Sequence, residues 1–125
     1  MKNKRVHILL VDDDQSFVEI MQFYLERQGY KVSYTFYLEK VLEIIKTQNP
    51  DIVFLDLRLS MKNNLKIIQN IKELNSRLPV VVITAYGSSK ELETACSAGA
   101  DHVMLKSSDF EEFEQTVNRF ASKTP

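Results

Sequence analysis

The stretch His7–Phe17, HILLVDDDQSF, places four apolar residues directly before three aspartates, Asp12, Asp13 and Asp14. A near-continuous apolar run of this kind is typical of a strand that is covered on both faces. Two carboxylates about 4 Å apart repel each other by roughly 4 kcal/mol at an effective dielectric constant near 20. Protons, a helix N-terminus, basic side chains or a divalent cation must therefore offset the charge at the end of this strand.

Short apolar runs alternate with segments of helical period along the whole chain. The runs are RVHILLV, KVSYTF, DIVFLD, PVVVIT and DHVML. Between them apolar residues recur at helical spacing, as Phe17, Ile20, Met21 and Tyr24 do in the first segment and Phe110, Phe113, Val117 and Phe120 in the last. Strands and helices in strict alternation predict an α/β fold with a parallel sheet and helices on both of its faces.

Length and composition predict one globular domain. The chain has 125 residues, of which 44% are hydrophobic and 26% charged, so we expect a single domain over residues 1–125, with residues 121–125 as a tail or the start of a linker. The net charge of −1 arises from interspersed acidic and basic residues, which gives no basic footprint for direct nucleic-acid binding by this domain.

Membrane attachment and disulfide bonding are not expected. No apolar run is long enough to span a bilayer, and the run near the N-terminus ends in acids rather than in a cleavage site for secretion. The single cysteine, Cys96, excludes an intrachain disulfide, and its place on the apolar stripe of the fourth helix predicts a small core residue. We therefore expect a cytoplasmic protein.

Residues capable of chemistry follow four of the five predicted strands. Ligand sites of open α/β sheets lie beyond the carboxyl ends of the strands. Those ends carry Asp12–Asp14, Asp56, Thr84 and Lys106. If the first and third strands are neighbours, three or more carboxylates converge there. Mg²⁺ suits such a pocket, because it takes one or two carboxylates, keeps several waters and shares a phosphate oxygen.

Four motifs at these strand ends, LLVDDD, IVFLDLRLS, VVVITAYG and GADHVMLK, resemble those of the receiver domain of bacterial two-component response regulators. The resemblance covers essentially the whole chain. It implies a flavodoxin-like or CheY-like (βα)5 fold, a doubly wound five-stranded parallel sheet in the order 2-1-3-4-5. It also implies a signalling phosphoprotein that catalyses only its own phosphorylation and dephosphorylation and is not otherwise an enzyme.

By the resemblance, Asp56 is the phosphoacceptor. It would take a phosphoryl group from a phosphohistidine on a histidine kinase or phosphotransfer protein, or from a small phosphodonor, and form an aspartyl phosphate. Asp13, Asp56 and the backbone carbonyl of Arg58 would bind Mg²⁺ directly, and Asp12 would bind it through water. Asp14 is then left to cap the following helix, a common role for aspartate.

The conserved hydroxyl and lysine of the family correspond to Thr84 and Lys106. With Mg²⁺ they would share the charge on the transferred phosphoryl group. Movement of Thr84 would shift the loop after the fourth strand and change the face formed by helix four, strand five and helix five. The expected partners of that face are an output domain or target protein, or a second copy in a phosphorylation-dependent homodimer.

Several positions depart from the family pattern. Val103 stands at the switch position, which usually carries an aromatic residue, and Ser107 stands where a cis proline usually follows the lysine. A cis bond before a residue other than proline costs about 2.5–4 kcal/mol, so we expect a trans Lys106–Ser107 bond and an altered loop. Leu59–Ser60 replaces methionine-proline, and Asn64 replaces a glycine.

Two variable positions tune hydrolysis of the phosphoryl group in the family, and here they hold Arg58 and Tyr86. Both side chains are large, so we expect restricted access for the attacking water and a long-lived phosphoryl group.

Three other functions are compatible with an α/β sheet of this kind. A phosphatase of the haloacid dehalogenase type needs a second acid where Arg58 stands, and a nucleotide or flavin binder needs a glycine-rich loop after the first strand. The stronger alternative is a degenerate receiver that serves as a phosphorylation-independent interaction module, which the changes at Val103 and Ser107 favour. The presence of Asp13, Asp56, Thr84 and Lys106 argues against it, because a module without chemistry does not need a costly cluster of like charges.

Overall fold

The computed structural model describes residues 5–58, 64–85 and 89–121. Strands and α-helices alternate through these ranges, and a short 3-10 helix, Leu38–Lys40, precedes the second α-helix. The elements are β1 (His7–Val11), α1 (Gln15–Arg27), β2 (Lys31–Thr35), α2 (Val41–Gln48), β3 (Ile52–Asp56), α3 (Asn64–Leu74), β4 (Val80–Thr84), α4 (Ser89–Ser97), β5 (His102–Leu105) and α5 (Phe110–Phe120).

The strands form one parallel sheet in the order β2-β1-β3-β4-β5. Every residue of β1, β3 and β4 is buried, which is the environment that their continuous apolar runs require. The edge strands β2 and β5 include exposed residues. The predicted doubly wound α/β fold and its strand order are confirmed.

The sheet separates two apolar cores because successive residues of a strand point to opposite faces. Leu9 and Val11 of β1 face one core, which α2, α3 and α4 cover. Ile8 and Leu10 face the other, which α1 and α5 cover. At the end of α5, Ala121 is buried in this second core. Residues 122–125 of the predicted tail lie outside the described ranges.

Local signals fix both ends of α1, and the cap at Asp14 is the predicted one. The Asp14 carboxylate caps α1 and accepts a hydrogen bond from the backbone N–H of Phe17 at 3.1 Å. After α1 the chain turns at Gly29 with a φ of 101°, a conformation that glycine adopts without steric cost. No cis peptide bond occurs in the described ranges, so the bond between Lys106 and Ser107 is trans as predicted.

Three predictions of side-chain burial are wrong, and one of them concerns Phe110 of the last stripe, which is 38% exposed. Ile20 is 57% exposed, and the residues of α1 that are buried are Val18, Met21 and Leu25. Cys96 is exposed, whereas its neighbour Ala95 is fully buried. One residue corresponds to about 100° around a helix, so a small error in the direction of the buried face exchanges neighbouring positions. In the described ranges no helix combines the length and apolar character that crossing a bilayer requires.

Candidate functional site

The register of the sheet places the predicted site residues along one edge. Val11 of β1 pairs with Leu55 of β3. The residues that follow them in the chain, Asp12 and Asp56, therefore lie side by side. Across β3, β4 and β5, Asp56 pairs with Ile83 and Thr84 with Leu105. The ladder continues past β5 through the Lys106 N–H, which donates to the Thr84 carbonyl at 2.7 Å.

Three carboxylates meet at this edge. Asp12, Asp13 and Asp56 each offer one oxygen, and these oxygens lie within 4.8 Å of one another. Asp12 is fully buried, Asp56 is 5% exposed, and Asp13 is exposed to solvent. The cluster is therefore closed on the protein side and open through Asp13, and hard cations with oxygen ligands fit such a set.

The Lys106 ammonium lies against this cluster. Its Nζ is 3.2 Å from Oδ1 and 3.0 Å from Oδ2 of Asp12, and it lies 3.8 Å from Oδ2 of both Asp14 and Asp56. Burial by itself lowers the pKa of Lys106, but the hydrogen bond and charge of Asp12, together with Asp56 and Asp14, reverse that effect and raise it. The lysine is therefore charged at neutral pH.

Burial disfavours the charged form of Asp12. Its burial raises the pKa of this carboxyl to about 6, and the charge of Asp56 adds to the rise. The Asp14 N–H, which donates to Oδ1 at 2.9 Å, and Lys106 act in the opposite direction without cancelling it. A raised pKa favours the neutral form of Asp12 but the charged form of Lys106. The two groups differ because Asp12 is completely buried, whereas the Lys106 side chain is 18% exposed.

One oxygen of Asp12 is left without a hydrogen bond. Oδ2 is buried and accepts none from the residues that the structure describes, although the Lys106 ammonium lies 3.0 Å away. A buried carboxylate oxygen in this state is costly unless it meets a charge. The Lys106 ammonium supplies one positive charge to this oxygen, and the set of three carboxylates that remains around it fits a divalent cation such as Mg²⁺.

The Asp56 carboxylate is oriented by the loop that follows it. Oδ1 accepts a hydrogen bond from the Arg58 N–H at 3.0 Å, and the Leu57 N–H donates to the Ile83 carbonyl at 2.8 Å. Arg58 itself is exposed. Its carbonyl as a metal ligand and its role in tuning hydrolysis stay predictions. Tyr86 and the Leu59–Ser60 pair lie outside the described residues.

The hydroxyl residue stands at the end of β4, whereas the switch residue lies within β5, in register with Val82. Thr84 is fully buried at the end of β4. Val103 is half-buried and packs against the core beneath α3 and α4. The switch position is thus filled by a short aliphatic side chain, and the neighbouring His102 ring instead packs at 5.4 Å from the Phe120 ring.

Sequence reasoning missed one residue of the site, Phe17. We assigned it to the core stripe of α1, but its half-buried ring also lies under the Lys106 ammonium, 4.9 Å from Nζ to the ring centroid. A local signal existed: Phe17 follows the Asp14 cap by three residues, so it belongs to the first turn of a helix that starts at the acidic edge.

Comparisons with known proteins agree with this geometry. The family model of the response regulator receiver domain matches residues 8–118. The transcriptional regulatory protein ZraR of Escherichia coli strain K12 is 32% identical over 124 residues, which are 99% of this chain and 28% of ZraR. The alkaline phosphatase synthesis transcriptional regulatory protein PhoP of Bacillus subtilis strain 168 is 30% identical over 99 residues, 79% of this chain and 41% of PhoP.

Solved structures share the fold. The crystal structure of a two-component response regulator from Clostridium difficile has a TM-score of 0.87 at 20% identity, over 95% of this chain and 98% of that one. The chain spans less than a third of the length of the curated relative ZraR. The family model covers most of the sequence, and the strand order and the carboxylate cluster at the sheet edge agree with it. The chain therefore belongs to the receiver domain family of the response regulators.

Proposed function

We propose that the chain is a phosphoacceptor in two-component signalling and that Asp56 receives the phosphoryl group. An Asp56 oxygen attacks the phosphorus of a phosphohistidine on a histidine kinase or phosphotransfer protein. A P–O bond forms as the P–N bond breaks, and the electron pair of that bond leaves with the histidine nitrogen. The product is an aspartyl phosphate, and the domain catalyses only the formation and loss of this group.

One observation carries the proposal: the Asp56 carboxylate lies in a three-carboxylate cluster that faces a largely buried ammonium. The Arg58 N–H holds Oδ1 of Asp56 at 3.0 Å, and the Lys106 ammonium lies 3.8 Å from Oδ2. The nucleophile is thus oriented before a phosphodonor arrives. Such fixed positioning is the main contribution that a protein makes to phosphoryl transfer.

The pocket can meet the charge that the phosphoryl group brings. Asp12, Asp13 and Asp56, with the carbonyl of Arg58, would hold Mg²⁺. When bound, this ion supplies positive charge to the phosphoryl oxygens and to the carboxylates around it. Lys106, which lies against Asp12 in this structure, would turn toward a phosphoryl oxygen.

The Thr84 hydroxyl would donate a hydrogen bond to another phosphoryl oxygen. Its movement would alter the segment after β4 and the face formed by α4, β5 and α5, and a partner that prefers the altered face shifts the equilibrium toward it. Val103 offers no ring to follow that movement, so we propose that the backbone of the β4–α4 segment carries the change. An output domain, a target protein or a second copy of the chain would bind this face, and we place the reaction in the cytoplasm.

Intact-protein mass spectrometry tests the proposal. The protein is incubated with acetyl phosphate and Mg²⁺ beside Asp56→Asn and beside Glu19→Gln, a change at an exposed acid on α1. We expect one added phosphoryl group in the wild type and in Glu19→Gln, and none in Asp56→Asn or after chelation of Mg²⁺. A wild type that gains no phosphoryl group, either from acetyl phosphate or from a set of histidine kinases that label other receivers, would instead favour the phosphorylation-independent interaction module.

A further inference from the structure

We propose that Phe17 is a positioning residue for Lys106 and that the face of its ring holds the ammonium where phosphoryl transfer needs it. This inference rests on the proposed function. The observation behind it is the distance of 4.9 Å between Nζ of Lys106 and the centroid of the Phe17 ring. An ammonium within about 6 Å of a ring centroid is attracted by the negative face of the ring.

The Lys106 ammonium has two kinds of neighbour. Oxygens of Asp12 lie at 3.0 and 3.2 Å, and Oδ2 of Asp56 lies at 3.8 Å. The Phe17 ring is the uncharged neighbour. Attraction to a ring is weaker and less directional than a hydrogen bond to a carboxylate, so the ammonium can exchange Asp12 for a phosphoryl oxygen while it keeps its contact with the ring.

Phe17 is held in place through its backbone and through its ring. The backbone N–H of Phe17 donates to the Asp14 cap at 3.1 Å. The ring packs on Phe113 at 6.1 Å between centroids, and Phe113 packs on Phe54 at 5.7 Å. Both of these rings are essentially buried, and Phe54 lies two residues before Asp56 in β3. The ring that supports Lys106 therefore belongs to the same rigid core as the strand that presents the acceptor.

The Lys106 side chain gives a reason why this support matters. Lysine carries its charge on a flexible four-carbon stem. The backbone hydrogen bond from Lys106 to Thr84 fixes only the start of that stem. A contact at the far end of the side chain, such as the one with Phe17, reduces the number of positions that the ammonium can take.

Phe17→Leu and Phe17→Tyr separate the ring from the volume of the side chain. Leucine fills much of the same space without a π face, and tyrosine keeps the ring. We expect Phe17→Leu to lower the maximal rate of labelling by acetyl phosphate about threefold to tenfold, with the half-saturating acetyl phosphate concentration within about twofold of the wild type. Phe17→Tyr should stay within about twofold of the wild-type rate.

The matched control is Phe23→Leu. Phe23 lies on the same helix, is 65% exposed and has the guanidinium of Arg27 at 5.3 Å from its ring. The change removes a ring and a cation contact of the same type away from the site. We expect its labelling rate to equal that of the wild type.

A second readout does not depend on labelling. The ε-methylene protons of Lys106 should show an upfield ring-current shift by NMR in the wild type and in Phe17→Tyr, and should lose it in Phe17→Leu. Equal labelling rates for the wild type and Phe17→Leu, or a Phe17→Tyr protein as slow as Phe17→Leu, would overturn the inference. A wild type that neither acetyl phosphate nor the set of histidine kinases labels would refute the proposed function instead. Absence of the ring-current shift from the wild type would refute the placement of the ammonium over the Phe17 ring and with it this inference.

Discussion

Replacing Asp12 by asparagine removes a buried negative charge and keeps the shape of the side chain. The pKa of Asp12 is raised from 3.8 to about 6 in the folded protein. Each pH unit of such a difference corresponds to about 1.4 kcal/mol. The ionised carboxylate therefore costs up to about 3 kcal/mol of folding free energy at pH 7.

The direction of the pH dependence follows from the raised pKa. The folded state holds the Asp12 proton more tightly than the unfolded state does, so the cost is absent below pH 3.8, grows until about pH 6 and is constant above that. Asp12→Asn lacks this cost. The raised pKa already includes the attraction between Asp12 and Lys106, but the buried amide of the variant needs hydrogen-bond partners of its own, so we expect Asp12→Asn to exceed the wild type in stability at pH 7 by about 1–3 kcal/mol.

Urea unfolding followed by circular dichroism measures this difference. The free energy of unfolding of both proteins is determined from pH 4.5 to pH 7.5 with Mg²⁺ chelated. The difference between them cancels the titration of groups that they share. Asp13→Asn is the matched control, because it removes the same charge from the same cluster at an exposed position. We expect it to change stability by less than about 1 kcal/mol.

A stability advantage of Asp12→Asn that fails to grow between pH 4.5 and pH 6 would show that ionisation of Asp12 does not cost folding free energy. So would an Asp12→Asn protein that is less stable than the wild type at pH 7. Either result would mean that the Lys106 ion pair outweighs the desolvation of Asp12. The proposed need of the cluster for a second cation would then lose its physical basis.

Mg²⁺ should raise the melting temperature of the wild type at pH 7 and raise that of Asp13→Asn less, which differential scanning calorimetry measures. If Arg58 and Tyr86 restrict the attacking water, Arg58→Ala and Tyr86→Ala should each shorten the half-life of the aspartyl phosphate, followed by loss of labelled mass after the phosphodonor is removed; unchanged half-lives would contradict this. Asp14→Ala removes the hydrogen bond to the Phe17 N–H and should cost about 1 kcal/mol in urea unfolding, whereas no cost would show that this cap is dispensable.

The fold could be predicted well because its signals are local or repeated. Continuous apolar runs such as those of β1, β3 and β4 are typical of strands covered on both faces, and all of their residues are buried. The Asp14 cap is also a local signal, because its partner, the Phe17 N–H, is only three residues away. The strand order came from the resemblance of the motifs to a family, since the alternation of strands and helices is compatible with several orders.

The wrong or missed predictions concern which helix faces are buried and which distant residues come into contact. Ile20 and Cys96 are apolar and lie at helical spacing, yet which side of a helix is buried depends on where its neighbours pack. Phe17 was assigned only a core role because its contact with Lys106 joins residues 89 positions apart. The raised pKa of Asp12 also required the structure, since the sequence shows three acids but does not show which of them is buried.

Chemical mapping of the phosphorylated residue tests directly whether Asp56 accepts the phosphoryl group. Borohydride reduces an aspartyl phosphate to homoserine, and peptide mass spectrometry then locates the changed residue after treatment with a phosphodonor and Mg²⁺. We expect homoserine at position 56 and unchanged aspartate at positions 12, 13 and 14. Homoserine at one of those three positions, or at none of the four in a protein that has gained phosphate, would contradict it.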